Sequence, residues 1–144
     1  MATRAVNGWA IRDCRPQEAE VVLALWREAE ASPSVTDNLE EVRRAIAESP
    51  AWFLVAEADR QIVGSVIGGF DGWRGNIYRL AVHPTYQRRG IARALVVEVE
   101  RRLAGQGVKR ITALVEKDHP WATGFWAAIG YDLDHRMVRF VHNL

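Results

Sequence analysis

The chain has 144 residues, with 49% hydrophobic and 26% charged side chains, 19 basic against 18 acidic groups and a net charge of +1. That length suits one domain, residues 1–144, able to bury a core without covalent staples. The composition excludes disordered and fibrous classes, and the balanced charge leaves no broad field for DNA or an anionic membrane, so an anion site has to be local.

One cysteine, Cys14, forms no internal disulfide and no cysteine zinc site. The opening residues "MATRAVNGWAIRD" lack the apolar stretch of a leader. No run approaches the roughly 18–20 apolar residues of a membrane span. The expected compartment is by default the cytoplasm, and no membrane partner is expected.

In chain order, Trp9–Cys14 alternates and reads as a short strand. Pro16 then opens a helix whose Ala19, Val22, Leu23 and Trp26 form a core-facing stripe. Asp37 with Glu40 three residues on resembles a capping box. The second helix follows with Leu39, Val42 and Ile46 inward, and Pro50 stops it.

Trp52–Glu57 and Ile62–Gly69 read as a hairpin, and "DGWRG" (71–75) turns the chain into a further strand over Asn76–Val82. Ile91–Ala104 is a long helix, ended by Gly105 and Gly107. The apolar "KRITALVE" (109–116) predicts a central strand with parallel pairing. A short helix occupies "HPWATGFWAAIG" (119–130), and Tyr131–Asp134 with Arg136–Val141 are expected to close the sheet. The order is a mixed α/β pattern with helices on both faces, and its strand–helix–strand unit at 76–116 is expected to cross over right-handed.

The junction at Gln87-Arg88-Arg89-Gly90-Ile91-Ala92 carries the chemistry. A strand that enters a helix through glycine leaves the first amide hydrogens of the helix without partners. The helix dipole adds positive charge there, which favours a phosphate. Gly90 admits close approach of the backbone, Ala92 is small for the same reason, and Arg88 and Arg89 add charge. The junction lacks the lysine and hydroxyl of a Walker A loop, and no G-x-G-x-x-G is present. Six tryptophans in so short a chain serve mostly as packing, while Trp73 and Trp121, beside glycine or proline, are candidates for lining a ligand groove.

These six residues match the Q/R-x-x-G-x-G/A motif, and the chain resembles the GCN5-related N-acetyltransferase (GNAT) superfamily. "LAVHPTYQRRG" is similar to that family's fourth strand and pyrophosphate loop, and "HPWATGFWAAIGY" to its N-x-x-A-x-x-F-Y-x-x-x-G-F/Y helix. "FLVAEADRQIVGSVIGGFDGWRGNIYRLAVHP" further resembles a bacterial subgroup of acetyltransferases without an assigned substrate.

The resemblance implies a mostly antiparallel, six- to seven-stranded mixed sheet with a parallel, splayed fourth and fifth strand. It implies acetyl-CoA as cosubstrate, with no metal. The pantetheine arm would lie along Leu80, Ala81 and Val82, and the diphosphate on Gln87, Arg88, Arg89, Gly90, Ile91 and Ala92, with Arg93 at the edge.

The family's proton-donating tyrosine falls on Trp126, whose indole donates a hydrogen bond but no proton near neutral pH. The family's asparagine falls on His119, so His119 or a water is the candidate replacement, and a helix-capping His119 is the alternative. Both His119 and Trp126 are expected near the cofactor. Glu116 is the candidate base, and Asp71, Trp73, Tyr78 and Arg79 are candidate substrate contacts. Each of these carboxylates also fits a solvated strand or loop end.

The implied reaction is direct acetyl transfer to an amine of a small molecule or a protein, by a monomer or homodimer. Acceptor choice would rest with residues 32–37 and "FDGWRG". A catalytically weak acyl-CoA-binding module is the alternative motivated by Trp126. A nucleic-acid-binding domain built on Arg88-Arg89 has less support, since the patch is short.

Overall fold

A computed structural model describes residues 8–48 and 51–144; Pro50 and the first seven residues lie outside the described residues. The chain divides into two compact units, one reaching to Leu114 and one of Val115–Leu144.

The first unit holds a five-stranded sheet in the order β1–β2–β3–β4–β5. The strands are β1 (Trp9–Asp13), β2 (Trp52–Ala58), β3 (Gln61–Phe70), β4 (Gly75–Val82) and β5 (Ile111–Ala113). The first three pairings are antiparallel and β4–β5 is parallel. Three helices accompany them: α1 (Ala19–Glu28), α2 (Leu39–Ala47) and α3 (Ile91–Gly105).

Strand alternation assigns the helices to opposite faces. Phe53, Val55 and Ile67 join Val22, Trp26 and Val42 in one buried cluster under α1 and α2. The intervening residues receive α3. A Cβ on Gly68 would fall 2.6 Å from Val99 Cγ1, and one on Gly75 would fall 2.6 Å from Leu103 Cδ1. Side chains of α3 therefore occupy the space that larger residues on β3 and β4 would need, and Ile91, Leu95, Val99 and Leu103 are fully buried there.

Three expectations need correction. The second helix is capped one residue later than the Asp37–Glu40 spacing suggests: Asn38 Oδ1 accepts from the Glu41 amide at 3.0 Å. The strand expected at 109–116 is three residues long and lies at the edge of the sheet, paired with β4 alone. The sheet has five strands among the described residues, not six or seven.

Tyr131–Asp134 and Arg136–Val141 form no strand. Their alternation is real, but a strand also needs a ladder partner. Here Asp134 instead turns the chain, accepting the Arg136 amide at 3.0 Å. Leu133, Met137, Val138, Phe140 and Val141 are exposed as a result.

The second unit is built on α4 (Ala122–Ala128), ended by Gly130 at φ +96° with the Tyr131 amide donating to Trp126 O at 3.0 Å. Among the described residues no helix is long and apolar enough to cross a membrane.

Candidate functional site

The site of the first unit begins where β4 loses its neighbour. Strand β5 pairs with Gly75, Asn76 and Ile77, and the Leu114 amide donates to Ile77 O at 2.9 Å. Beyond that point β4 runs on to Val82 with no β5 residue paired to it.

A bulge decides which backbone groups of this part of β4 point away from β3. Ser65 pairs with Ala81 and Ile67 with Tyr78, so Arg79 and Leu80 together oppose Val66. Arg79 takes a left-handed conformation, φ +55°. Before the bulge, the Gly75 amide donates to Arg110 O, so odd-numbered residues point at β5. After it, the His83 amide donates to Val63 O, so His83 points at β3. The extra residue has switched the phase, and the peptide groups of Leu80 and Val82 point away from β3. Val82 O is taken by Gln87 Nε2 at 3.2 Å.

The turn that follows is held from several directions. His83 Nδ1 accepts the Thr85 amide at 3.1 Å, and its Nε2 lies 2.6 Å from the Glu28 carboxylate. Tyr86 Oη donates to Asp59 at 2.7 Å, and the Arg89 guanidinium lies 4.8 Å from the Tyr86 ring centroid. Arg89 is thus partly engaged by its own turn, while Arg88 is exposed and left-handed at φ +65°.

Gly90 caps α3 with φ +86°, a conformation that L side chains adopt at a cost. A Cβ there would meet nothing within 4 Å, so the position opens on free space. The first intrahelical bond runs from the Ala94 amide to Gly90 O, and the amides of Ile91, Ala92 and Arg93 therefore precede any helical acceptor. The first turn carries no acidic residue to neutralise the dipole. Left-handed backbone, unpartnered amides and basic side chains together fit a diphosphate.

Of the substrate candidates, Asp71 closes the β3–β4 turn. Its Oδ1 accepts the Trp73 and Arg74 amides at 2.9 and 2.7 Å, which hold the carboxyl below its usual range. Trp73 is 70% exposed and carries the Arg74 guanidinium 4.1 Å from its ring centroid. Tyr78 packs on the α1–α2 cluster. Arg79 reaches the loop between α1 and α2, bonding Asp37 at 2.8 and 3.0 Å and Ser32 O at 2.9 Å. Sequence reasoning gave Asp37 to a helix cap and missed this pair.

In the second unit, Glu116 is exposed, and its carbonyl accepts the His119 amide at 3.3 Å. His119 Nδ1 is buried with no hydrogen-bond partner among the described residues. From His119 an edge-to-face series runs through Trp121, Phe125 and Trp126 to Tyr131, with centroids 5.1, 5.6, 5.4 and 4.7 Å apart. Trp126 is buried within it.

The sequence model of the acetyltransferase (GNAT) family matches residues 19–131. The chain belongs to this family. An acetyltransferase of Pectobacterium atrosepticum, ECA0875, is 37% identical over 122 residues, 85% of this chain and 86% of the relative. The acetyltransferase YPTB2753 of Yersinia pseudotuberculosis is 35% identical over the same share of each chain.

Among solved structures, the PaiA N-acetyltransferase of Thermoplasma acidophilum, in complex with coenzyme A, shares the fold at a TM-score of 0.78. Its identity is 19%, over 88% of this chain and 91% of that one. The aminoglycoside acetyltransferase meta-AAC0020, from an uncultured soil metagenomic sample and in complex with sisomicin, aligns with a TM-score of 0.74 at 19% identity, over 96% and 97% of the two chains.

In acyl transfer, positioning of the reactants and electrostatic stabilisation can supply much of the rate. No group of three or more metal-ligating side chains occurs among the described residues.

Proposed function

We propose that the chain moves an acetyl group from acetyl-CoA to a primary amine of a small molecule or protein, directly, with both reactants bound. The observation that carries this reading is the continuous path from the Leu80 peptide group and the Val82 amide, which point away from β3, to the amides without helical acceptors at the start of α3. An extended amide-containing arm suits the first and a diphosphate the second. Coenzyme A joins these two chemistries in one molecule.

In the reaction the neutral amine nitrogen attacks the thioester carbonyl carbon. The carbon–sulfur bond breaks, the amine loses one proton to a base, and the thiolate takes one from an acid. Trp126 cannot supply that proton. His119 has an imidazole nitrogen free of hydrogen bonds and is our candidate acid, with water as the substitute. Glu116, exposed at the start of the second unit, is the candidate base.

The test is thiol release from acetyl-CoA against amino acids, polyamines, aminoglycosides and short peptides. Turnover with one amine class supports the reading. Binding of acetyl-CoA with no turnover on any class favours a weak acyl-CoA-binding module, the alternative that buried Trp126 at the proton donor's position motivates.

A further inference from the structure

Arg79 closes a circuit within the first unit. Its guanidinium holds Asp37 through two bonds and Ser32 O through a third, so it grips both ends of the 32–37 loop. The same guanidinium lies 4.9 Å from the Trp26 ring centroid. The Trp26 indole donates to Ser65 Oγ at 2.9 Å, and Ser65 Oγ reaches back to Arg79 O at 3.4 Å. Side chain and backbone of one residue are thus fixed by one indole. The ion pair is largely shielded, with both side chains 18% exposed.

The backbone of Arg79 is left-handed at φ +55°, a strained conformation for a non-glycine residue that persists only where surrounding contacts dictate it. Glycine would adopt it freely.

We propose that Arg79 is the positioning residue that fixes the 32–37 loop onto the β4 bulge, so that acceptor affinity depends on it and acetyl-CoA affinity does not. The proposal rests on reading that loop as a wall of the acceptor site. Arg79 acts through Asp37 and not by touching the acceptor.

The experiment compares Arg79→Gly, Arg79→Lys, Asp37→Asn and the Arg79→Gly/Asp37→Asn double variant. Arg79→Gly keeps the bulge conformation and removes the grip. Asp37→Asn keeps an oxygen for the Ser34 amide and removes the charge. Amide exchange across 32–37 is expected to quicken about tenfold in either single variant. The double variant should be no faster than Arg79→Gly, which already removes the bonds that Asp37→Asn weakens along with the bond to Ser32 O. Arg79→Lys should fall between.

With the most active amine of the thiol-release panel, acceptor KM should rise in parallel while acetyl-CoA affinity by calorimetry holds. Unchanged exchange in both single variants overturns the proposal. So does loss of acceptor use in Arg79→Gly with Asp37→Asn unaffected, which would mean direct contact. An absence of acetyl-CoA binding by the unaltered protein sinks the functional reading alone, and the exchange measurements still decide the grip.

Discussion

Val99 of α3 is seated directly over Gly68 of β3, its Cγ1 2.6 Å from the place a Cβ would take. That contact sets how closely α3 lies on the sheet, and α3 carries the amides of the proposed diphosphate site at its first turn. Gly68→Ala forces either Val99 or the helix to move. Overpacking of this kind costs about 1–3 kcal/mol. A thermal midpoint lower by roughly 3–10 °C is expected. An unchanged midpoint would show that Val99 yields without cost.

Trp26 and Ser65 form a buried hydrogen bond at 2.9 Å, and Ser65 is a fully buried polar side chain of the sheet. Ser65→Ala strands the indole N–H, which costs about 1–3 kcal/mol. Trp26→Phe removes the donor and strands less. Denaturant unfolding of both single variants and the double should show strong non-additivity, the double costing clearly less than the sum.

Glu18 accepts two bonds from Arg12 and one from the Arg15 amide. The Arg12 guanidinium, chiefly by these bonds, holds the Glu18 carboxyl below its usual range against an opposing effect of burial. A carboxylate with a depressed folded value stabilises fully above its unfolded value, about 4.3. That contribution fades as pH falls through the lower folded value. Glu18→Gln should therefore destabilise at about pH 7 and converge on the unaltered protein in strong acid. A stability gap independent of pH would contradict this.

Cys14 is buried, and burial first, then the charge of Glu18, pushes its thiol up to about 12. The thiolate is the reactive form, so native Cys14 should resist disulfide reagents near neutral pH and react on unfolding. Reagent titration of native and denatured protein checks this. It also clears the thiol-release assay of background from the chain itself.

The junction from β4 to α3 was legible because its signals are local: a strand ending, a basic pair and a glycine that must turn left-handed. Other features depend on distant residues. Asp37–Glu40 and Asn38–Glu41 fit the same capping spacing, and what takes Asp37 away is Arg79, 42 positions on. The alternation of Arg136–Val141 shows that it could pair, and no local pattern shows whether it does. Likewise 109–116 reads as buried from composition, whereas its length and edge position follow from its pairing with three residues of β4 alone. The family resemblance supplied the roles of His119 and Trp126; their aromatic series emerged from the fold.

The central claim is that the first turn of α3 grips a diphosphate while β4 receives the arm attached to it. The direct test is calorimetric titration with coenzyme A and, separately, with pantetheine, which has the arm and no phosphates. The account predicts saturable heat with coenzyme A and affinity at least about a hundredfold weaker for pantetheine, a difference near 2.7 kcal/mol. Equal affinity for the two, or no heat with coenzyme A, would contradict it.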